Sequence, residues 1–193
     1  MTRSASRPKY AQLATNADKG FPLTVVDAIC PVGGERHLTE GEIALARGVF
    51  GNAIDYARVT IRRRKFFPLQ PRRITMAPRG HLHFHPLGDA YCDDFAYCDD
   101  FSGMNAQRQG HFIHEMTHVW QTQSRGDWYL LLHRHPFCRY DYSLRPGWKL
   151  EKYGIEQQAE IVRHAFLLRQ GYRLAGVGDP QTYDLLVNFP GAQ

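Results

Sequence analysis

The chain has 193 residues, a hydrophobic fraction of 43% and a formal net charge of +5. The length favours one domain with a real core, and no apolar run reaches the roughly 18 residues that a membrane-spanning helix needs. The first residues lack the apolar segment of a secretory signal peptide, so we expect a protein made in the cytoplasm without a Sec signal.

A helix-start signal marks the beginning of the predicted domain. Residues 1–20 are predicted to be a flexible leader, and residues 21–193 a single domain. Thr39 and Glu42 have the spacing of a capping box, in which the threonine accepts from one backbone N–H and the glutamate reaches back to another. The apolar residues that follow predict a helix running to about Ala53.

Short strands are predicted after this helix. Alternating apolar and polar residues indicate strands at 56–61 and 74–77, and a third strand is predicted at 81–85. The third strand carries three histidines at every second position, so they share one face. We expect these histidines to face solvent or, as second choice, to line a substrate cleft. They are not predicted to bind metal, because a complete ligand set occurs elsewhere in the chain.

Three other features carry less functional information. Basic residues concentrate over 58–73 without any nucleic-acid-binding motif, which favours a solvated basic face and no specific nucleic-acid partner over attraction to anionic surfaces. The four cysteines form no CxxC pair, so disulfides and free thiols both stay open. The hexapeptide AYCDDF occurs twice over 90–101, which predicts a lengthened acidic loop near the mouth of the site.

The most informative motif is the sequence HEMTH at residues 114–118. Residues 107–123 contain no proline, and their apolar residues recur at spacings of three and four, which predicts an amphipathic helix. Side chains four residues apart share a helix face, so both histidines can bind one Zn²⁺ while Glu115 takes a proton from its bound water. The alternative is an amphipathic helix with two solvated histidines.

A second amphipathic helix is predicted over 155–170. Glu156 and Glu160 lie four residues apart on one of its faces, beside the apolar stripe, so both carboxylates can point at the same site. A catalytic zinc site needs three protein ligands and one open position, and this helix offers the missing ligand. Two solvated glutamates on a helix face are the alternative.

Together the two helices resemble the zinc site of gluzincin metallopeptidases, in which HExxH is completed by an ExxA(D/E) motif. The sequence EQQAE in the second helix is similar to that motif. By this resemblance His114, His118 and Glu156 bind one Zn²⁺ per chain. Glu115 is then the general base, and Glu160 orients a ligand histidine. The roles of the two second-helix glutamates can also be exchanged.

A longer resemblance covers roughly residues 20–175. The segments HLTEGEIALARGVFGNAIDYARVTI, FFPLQPRRITMAP, FIHEMTHVWQTQ and YGIEQQAEI are similar to zinc-metallopeptidase domains of bacterial type VI secretion systems, found at the C-termini of VgrG-type spike proteins and as separate effectors. This implies a toxin-like peptidase, secreted by the producing bacterium, that acts on protein or peptide substrates in the periplasm of a target cell. It also implies a secretion-spike partner and an immunity protein.

We therefore predict a single α+β domain with a zincin-like core, comprising a small β-sheet, the HExxH helix and a second helix that carries the third zinc ligand. Tyr153, His164 and Tyr142 are the candidates for stabilising the oxyanion in a peptidase, with Tyr140 and Arg163 also considered. Two other functions stay open. One is a non-catalytic binding protein stabilised by zinc, and the other is a housekeeping cytoplasmic zinc protease.

Overall fold

The structure is a computed structural model that describes residues 30–88, 96–134 and 138–192, and every statement about its elements refers to those residues. The predicted leader, 1–20, lies outside them, and so does the whole first copy of the repeated hexapeptide, 90–95. Buried apolar side chains from all three described segments form one core. The small sheet and several helices confirm the predicted α+β class.

The sheet has three short strands in the order β1-β2-β3. Strand β1 (Glu35–His37) pairs antiparallel with β2 (Thr60–Arg62), and β2 pairs parallel with β3 (Leu82–His83). Ile61 is aligned with Leu82 in this register, and both side chains are fully buried. The sheet therefore contributes apolar side chains to the core through its central and last strands.

Two strand predictions are wrong in part. The first half of the strand predicted at 56–61 is a 3-10 helix, Tyr56–Arg58, whose buried tyrosine donates its hydroxyl to the carbonyl of Gly51 at 2.8 Å and so holds the segment in a turn. Within the segment 74–77, only Met76 pairs, in an isolated bridge with β3. The alternation at 56–58 did not reveal the turn, because the buried side chain of Tyr56 decides the backbone path there.

The histidines predicted to face solvent are mostly buried. His83 and His85 are each 5% exposed, whereas His81 is partly exposed, with Nδ1 2.9 Å from Oγ1 of Thr60. Strand β3 has β2 on one side and the Met76 bridge on the other, so it is not an open edge. Burial lowers the pKa of His83 to about 4, and this ring is therefore neutral at neutral pH.

Helix α1 (Glu40–Phe50) begins at the predicted capping box. Oγ1 of Thr39 accepts from the N–H of Glu42, and the carboxylate of Glu42 accepts from the N–H of Thr39, each at 3.0 Å. The helix ends at Phe50 rather than near Ala53 because Gly51 adopts a φ of 52° and a ψ of −119°, which leaves the helical path.

The two helices predicted to carry the motif residues are confirmed. Asn105 caps the first of them, accepting from the N–H of Arg108 at 3.0 Å, and Gly126 ends it with a φ of 97°. The remaining α-helices of the described residues are α2 (Ala106–Arg125), α3 (Tyr129–His133), α4 (Ile155–Arg169) and α5 (Pro180–Leu186), and 3-10 helices also occur at Pro78–Gly80 and Leu150–Lys152.

Helices α2 and α4 pack face to face, and this contact positions the site. A methyl group added at Gly110 of α2 would lie 3.4 Å from the side chains of Arg163 and Leu167 of α4, so the two helices approach closely there. Within the described residues, no helix combines the length and apolar content that crossing a bilayer requires.

Candidate metal centre

Helix α2 presents its two motif histidines to α4. His114 and His118 lie one helical turn apart, and their ring centroids are 5.1 Å apart. They are 6% and 1% exposed. The apolar stripe of α2 faces the core, and the two histidines lie beside that stripe, so they are buried as well.

Glu156, in the first turn of α4, completes a cluster of three. Its Oε2 atom lies 3.4 Å from Nε2 of His114 and 3.2 Å from Nε2 of His118, and the three atoms all lie within 4.8 Å of one another. Ligand distances of about 2.0–2.1 Å around a tetrahedral Zn²⁺ place neighbouring ligand atoms about 3.3–3.4 Å apart. The two contacts made by Glu156 therefore have the spacing of a zinc site.

The second ring nitrogen of each histidine has its own acceptor. Nδ1 of His114 lies 2.8 Å from Oε1 of Glu160, and Nδ1 of His118 lies 2.8 Å from Oε1 of Gln121. With both rings neutral and protonated on Nδ1, each Nε2 directs a lone pair towards Glu156. Three electron-rich atoms then converge in a buried place, and a divalent metal ion would take the place of the ring protons that otherwise hydrogen-bond to Glu156, so the cluster fits such an ion.

The charges around the cluster agree with this assignment. Burial acts to raise the pKa of Glu156, but its hydrogen bonds with His114 and His118 outweigh burial and hold that pKa well below the usual range. In the same way, contact with His114 lowers the pKa of Glu160 to about 2 despite burial. Both carboxylates are ionised at neutral pH, as an anionic ligand and the acceptor behind a ligand histidine must be.

Glu115 lies next to the cluster and borders a cavity of about 400 Å³. It is 4% exposed, and among the described residues its Oε2 atom has no hydrogen-bond partner. A buried carboxylate with a spare acceptor is in position to take a proton from a molecule in the cavity. The cavity is lined by Arg73, Ile74, Thr75, His111, His114, Glu115, Arg134, Tyr140, Glu160 and Arg163.

The segment 73–75, rather than strand β3, lies along this cavity. Oγ1 of Thr75 lies 2.9 Å from Nε2 of His111, one turn before His114 on α2, and this contact holds the segment against the helix. Burial lowers the pKa of His111 to about 3, so the ring is neutral at neutral pH. The β3 histidines, whose second-choice role is to line a substrate cleft, are not among the residues that line this cavity.

The residues predicted to stabilise an oxyanion lie behind the lining of the cavity, where Nε2 of His164 is 3.6 Å from Oε2 of Glu160. The hydroxyl of Tyr142 is 2.5 Å from Nδ1 of His164 and 2.8 Å from the hydroxyl of Tyr183. The hydroxyl of Tyr153 accepts from the backbone N–H of Arg145 at 2.9 Å. None of the predicted three is among the residues that line the cavity.

Tyr140 does line the cavity, and its ring lies against His114 with 6.3 Å between centroids and 17° between planes. Sequence reasoning missed Arg134, whose Nε atom is 2.9 Å from Oε1 of Glu156, because it follows a short helix in a stretch without any periodic pattern. It also missed Gln121, although a residue three positions after a ligand histidine on a helix is a predictable neighbour.

Comparison with known proteins gives two similarities. The type VI secretion system spike protein VgrG2b of Pseudomonas aeruginosa is 41% identical over 162 residues, which cover 80% of this chain and 15% of the spike protein. The solved structure of the effector domain of Pseudomonas aeruginosa VgrG2b matches with a TM-score of 0.63 and 40% identity, covering 79% of this chain and 83% of that domain. No protein-family model matches the chain.

The two similarities agree, because both concern the same effector region of one spike protein. The chain spans only about 15% of the spike protein's length, but it covers most of the separate effector domain. An identity of 40% over that share of a domain indicates shared ancestry and not only a similar fold. The chain belongs to the family of the VgrG2b effector domain, the effector domain of a type VI secretion spike protein.

Proposed function

We propose that this chain is a zinc-dependent peptidase. The observation that carries the proposal is the meeting of His114, His118 and Glu156 at one point, next to the cavity that Glu115 borders. Three protein ligands leave a fourth coordination position for water, which is the arrangement of catalytic rather than structural zinc sites. Within the described part of the chain, no fourth ligand joins the cluster.

The proposed reaction is hydrolysis of a peptide bond. Zinc, when bound, supplies Lewis acidity that polarises the scissile carbonyl and acidifies the attacking water. Glu115 accepts the proton of that water and passes it to the leaving amine. Tyr140 lines the same cavity and donates a hydrogen bond to the oxyanion. Glu160 and Gln121 contact Nδ1 of His114 and of His118 and so orient Nε2 of each ring towards the metal site.

We further propose that the core is zincin-like. Its support is the order of the parts along the chain: a helix with HEMTH, a connecting segment, and a second helix that packs on the first and presents the third ligand. We assign the oxyanion role to Tyr140 instead of the residues predicted from sequence, because among the described residues it is the one tyrosine that lines the cavity.

The setting of the activity is proposed from the relatives. The similar proteins carry the names of a type VI secretion spike protein and its effector domain, which supports secretion and association with a spike. We propose that the chain acts on proteins in the periplasm of a target bacterium and that its producer holds an immunity protein.

Replacement of Glu115 by Gln tests the proposed chemistry. The amide keeps the size of the side chain but does not accept a proton, so we expect one zinc per chain as in the parent and a loss of turnover of about 100-fold or more. Zinc is measured by elemental analysis, and turnover with casein and a fluorogenic peptide library. Glu151→Gln, at an exposed glutamate, is the matched control.

Periplasmic expression of the same three proteins in a host bacterium tests the setting. Toxicity from the parent and the control, without toxicity from Glu115→Gln, is the expected pattern. Equal toxicity from all three would contradict a peptidase effector and favour a non-catalytic, zinc-stabilised binding protein. Peptide cleavage in vitro without toxicity would favour a housekeeping zinc protease instead. Turnover by purified Glu115→Gln at the parent's rate would show that the proton acceptor is a different group.

A further inference from the structure

Arg134 is a cation placed directly against a candidate metal ligand. Its Nε atom lies 2.9 Å from Oε1 of Glu156, whose side chain is fully buried, while the arginine side chain is 24% exposed. A positive charge at this place opposes the binding of a divalent cation. Arg134 must therefore serve a role other than strengthening the binding of the metal.

The arginine is fixed at both ends. Its backbone N–H donates to the carbonyl of Leu130 at 2.8 Å, at the end of α3. Its side chain interacts electrostatically with Tyr140, whose ring lies against His114, and both residues line the cavity. Arg134 thus joins Glu156 to the cavity wall, and its guanidinium has little freedom to leave either partner.

The two carboxylate oxygens of Glu156 have separate surroundings. Oε2 faces Nε2 of both histidines, His114 and His118, whereas Oε1 is 2.9 Å from Arg134. A carboxylate can bind a metal through one oxygen or through both. If both oxygens of Glu156 bound, they and the two histidines would supply four protein donor atoms, and water would bind only as a fifth ligand.

We propose that Arg134 is a positioning residue that keeps Glu156 a one-oxygen ligand and so keeps a coordination position free for water. This inference rests on the proposed zinc-peptidase function. The ion pair engages Oε1, and only Oε2 is left to face the metal. Tyr140 interacts with the same guanidinium and lines the same cavity.

The test replaces zinc by Co²⁺ and follows the visible absorption of the bound ion, which is intense for four ligands and distinctly weaker for five. Arg134→Met keeps an unbranched apolar side chain and removes the guanidinium. We expect the parent to show the intense band and Arg134→Met to lose it. Arg139→Met is the matched control, because Arg139 lies on the same connecting segment with a side chain 75% exposed.

Turnover with zinc gives a second readout. In Arg134→Met we expect kcat to fall about 10- to 100-fold, the usual effect of removing a partner of a metal ligand, with KM little changed. Near-ultraviolet circular dichroism verifies the fold. If Arg134→Met does not fold, Arg134→Gln replaces it with the same expected loss of the band, since the shorter amide does not reach Glu156 and Tyr140 together.

A folded Arg134 variant with the intense cobalt band of the parent would overturn the proposal. So would the loss of that band in the Arg139→Met control, since the effect would not depend on contact with Glu156. The cobalt spectrum reports on the ligands whether or not any peptide is cleaved. A parent that shows the band but hydrolyses nothing would therefore contradict the proposed function alone.

Discussion

Glu160 selects the nitrogen with which His114 would bind the proposed metal ion. Its Oε1 atom lies 2.8 Å from Nδ1 of the ring, and this contact places the proton there and leaves Nε2 to bind. Burial lowers the pKa of His114, but its hydrogen bonds to Glu156 and Glu160 raise that pKa to about 9. Metal binding must therefore displace a proton from this ring at neutral pH.

Replacement of Glu160 by Gln is expected to weaken zinc binding. The amide oxygen still accepts from Nδ1 of His114. The negative charge that makes Nε2 of the ring a stronger electron-pair donor to the metal is gone. We expect the zinc dissociation constant to rise about 10-fold, measured by competition with a chromophoric chelator. Glu151→Gln is again the control. An unchanged dissociation constant for Glu160→Gln would mean that its charge has no part in holding the metal.

At the scale of secondary-structure elements, the close packing of α2 against α4 sets the distance between the proposed metal ligands. The contact at Gly110 lies one turn before His114 on α2, and the opposing residues, Arg163 and Leu167, belong to the helix that carries Glu156. Because the ligands are distributed over both helices, a change in helix separation changes the ligand distances directly.

Two substitutions at Gly110 are expected to have opposite effects. Gly110→Ala adds a methyl at ordinary contact distance and removes the flexibility of a helical glycine, so we expect it to stabilise the protein by up to about 1 kcal/mol. Gly110→Leu overfills the contact and is expected to lower the free energy of unfolding by about 1–3 kcal/mol and to weaken zinc binding. Urea unfolding and chelator competition measure both. A Leu variant with parental zinc affinity would show that helix separation does not control the site.

The sequence predicted the helices better than the sheet, for a physical reason. Over the lengths of α2 and α4, the 3.6-residue period repeats several times, and it also places the motif residues on the inner face. The strands have only two or three residues each, too few for alternation to be distinguished from a turn. Arg134 and Tyr140 reach the site from irregular chain, where position follows from tertiary contacts and not from any period.

The whole molecule is expected to lose stability in mild acid through its buried histidines. Burial lowers the pKa of His83 to about 4, against about 6.5 in an unfolded chain. Between these values the unfolded state binds more protons, so this contribution is complete above pH 6.5 and is lost as the pH falls towards 4. For one histidine the loss amounts to about 3 kcal/mol.

Urea unfolding of metal-free protein at pH 7.5 and pH 4.5 measures this dependence without interference from zinc release. We expect the difference in unfolding free energy between the two pH values to be about 2–3 kcal/mol smaller in His83→Gln than in the parent. His37→Gln, at an exposed histidine of β1, is the control. The same pH dependence in all three proteins would assign acid sensitivity to other groups.

The proposed ligands also lie far apart along the chain. His118 and Glu156 are 38 positions apart, on two different helices, and the connection between them contains the short helix α3 and irregular segments. A metal ion held by both closes a loop of that size. By the chain-entropy relation used for disulfides, such a closure removes about 4 kcal/mol of freedom from the unfolded chain. The ion thus acts as a reversible cross-link, and the protein that has lost it is expected to unfold more readily.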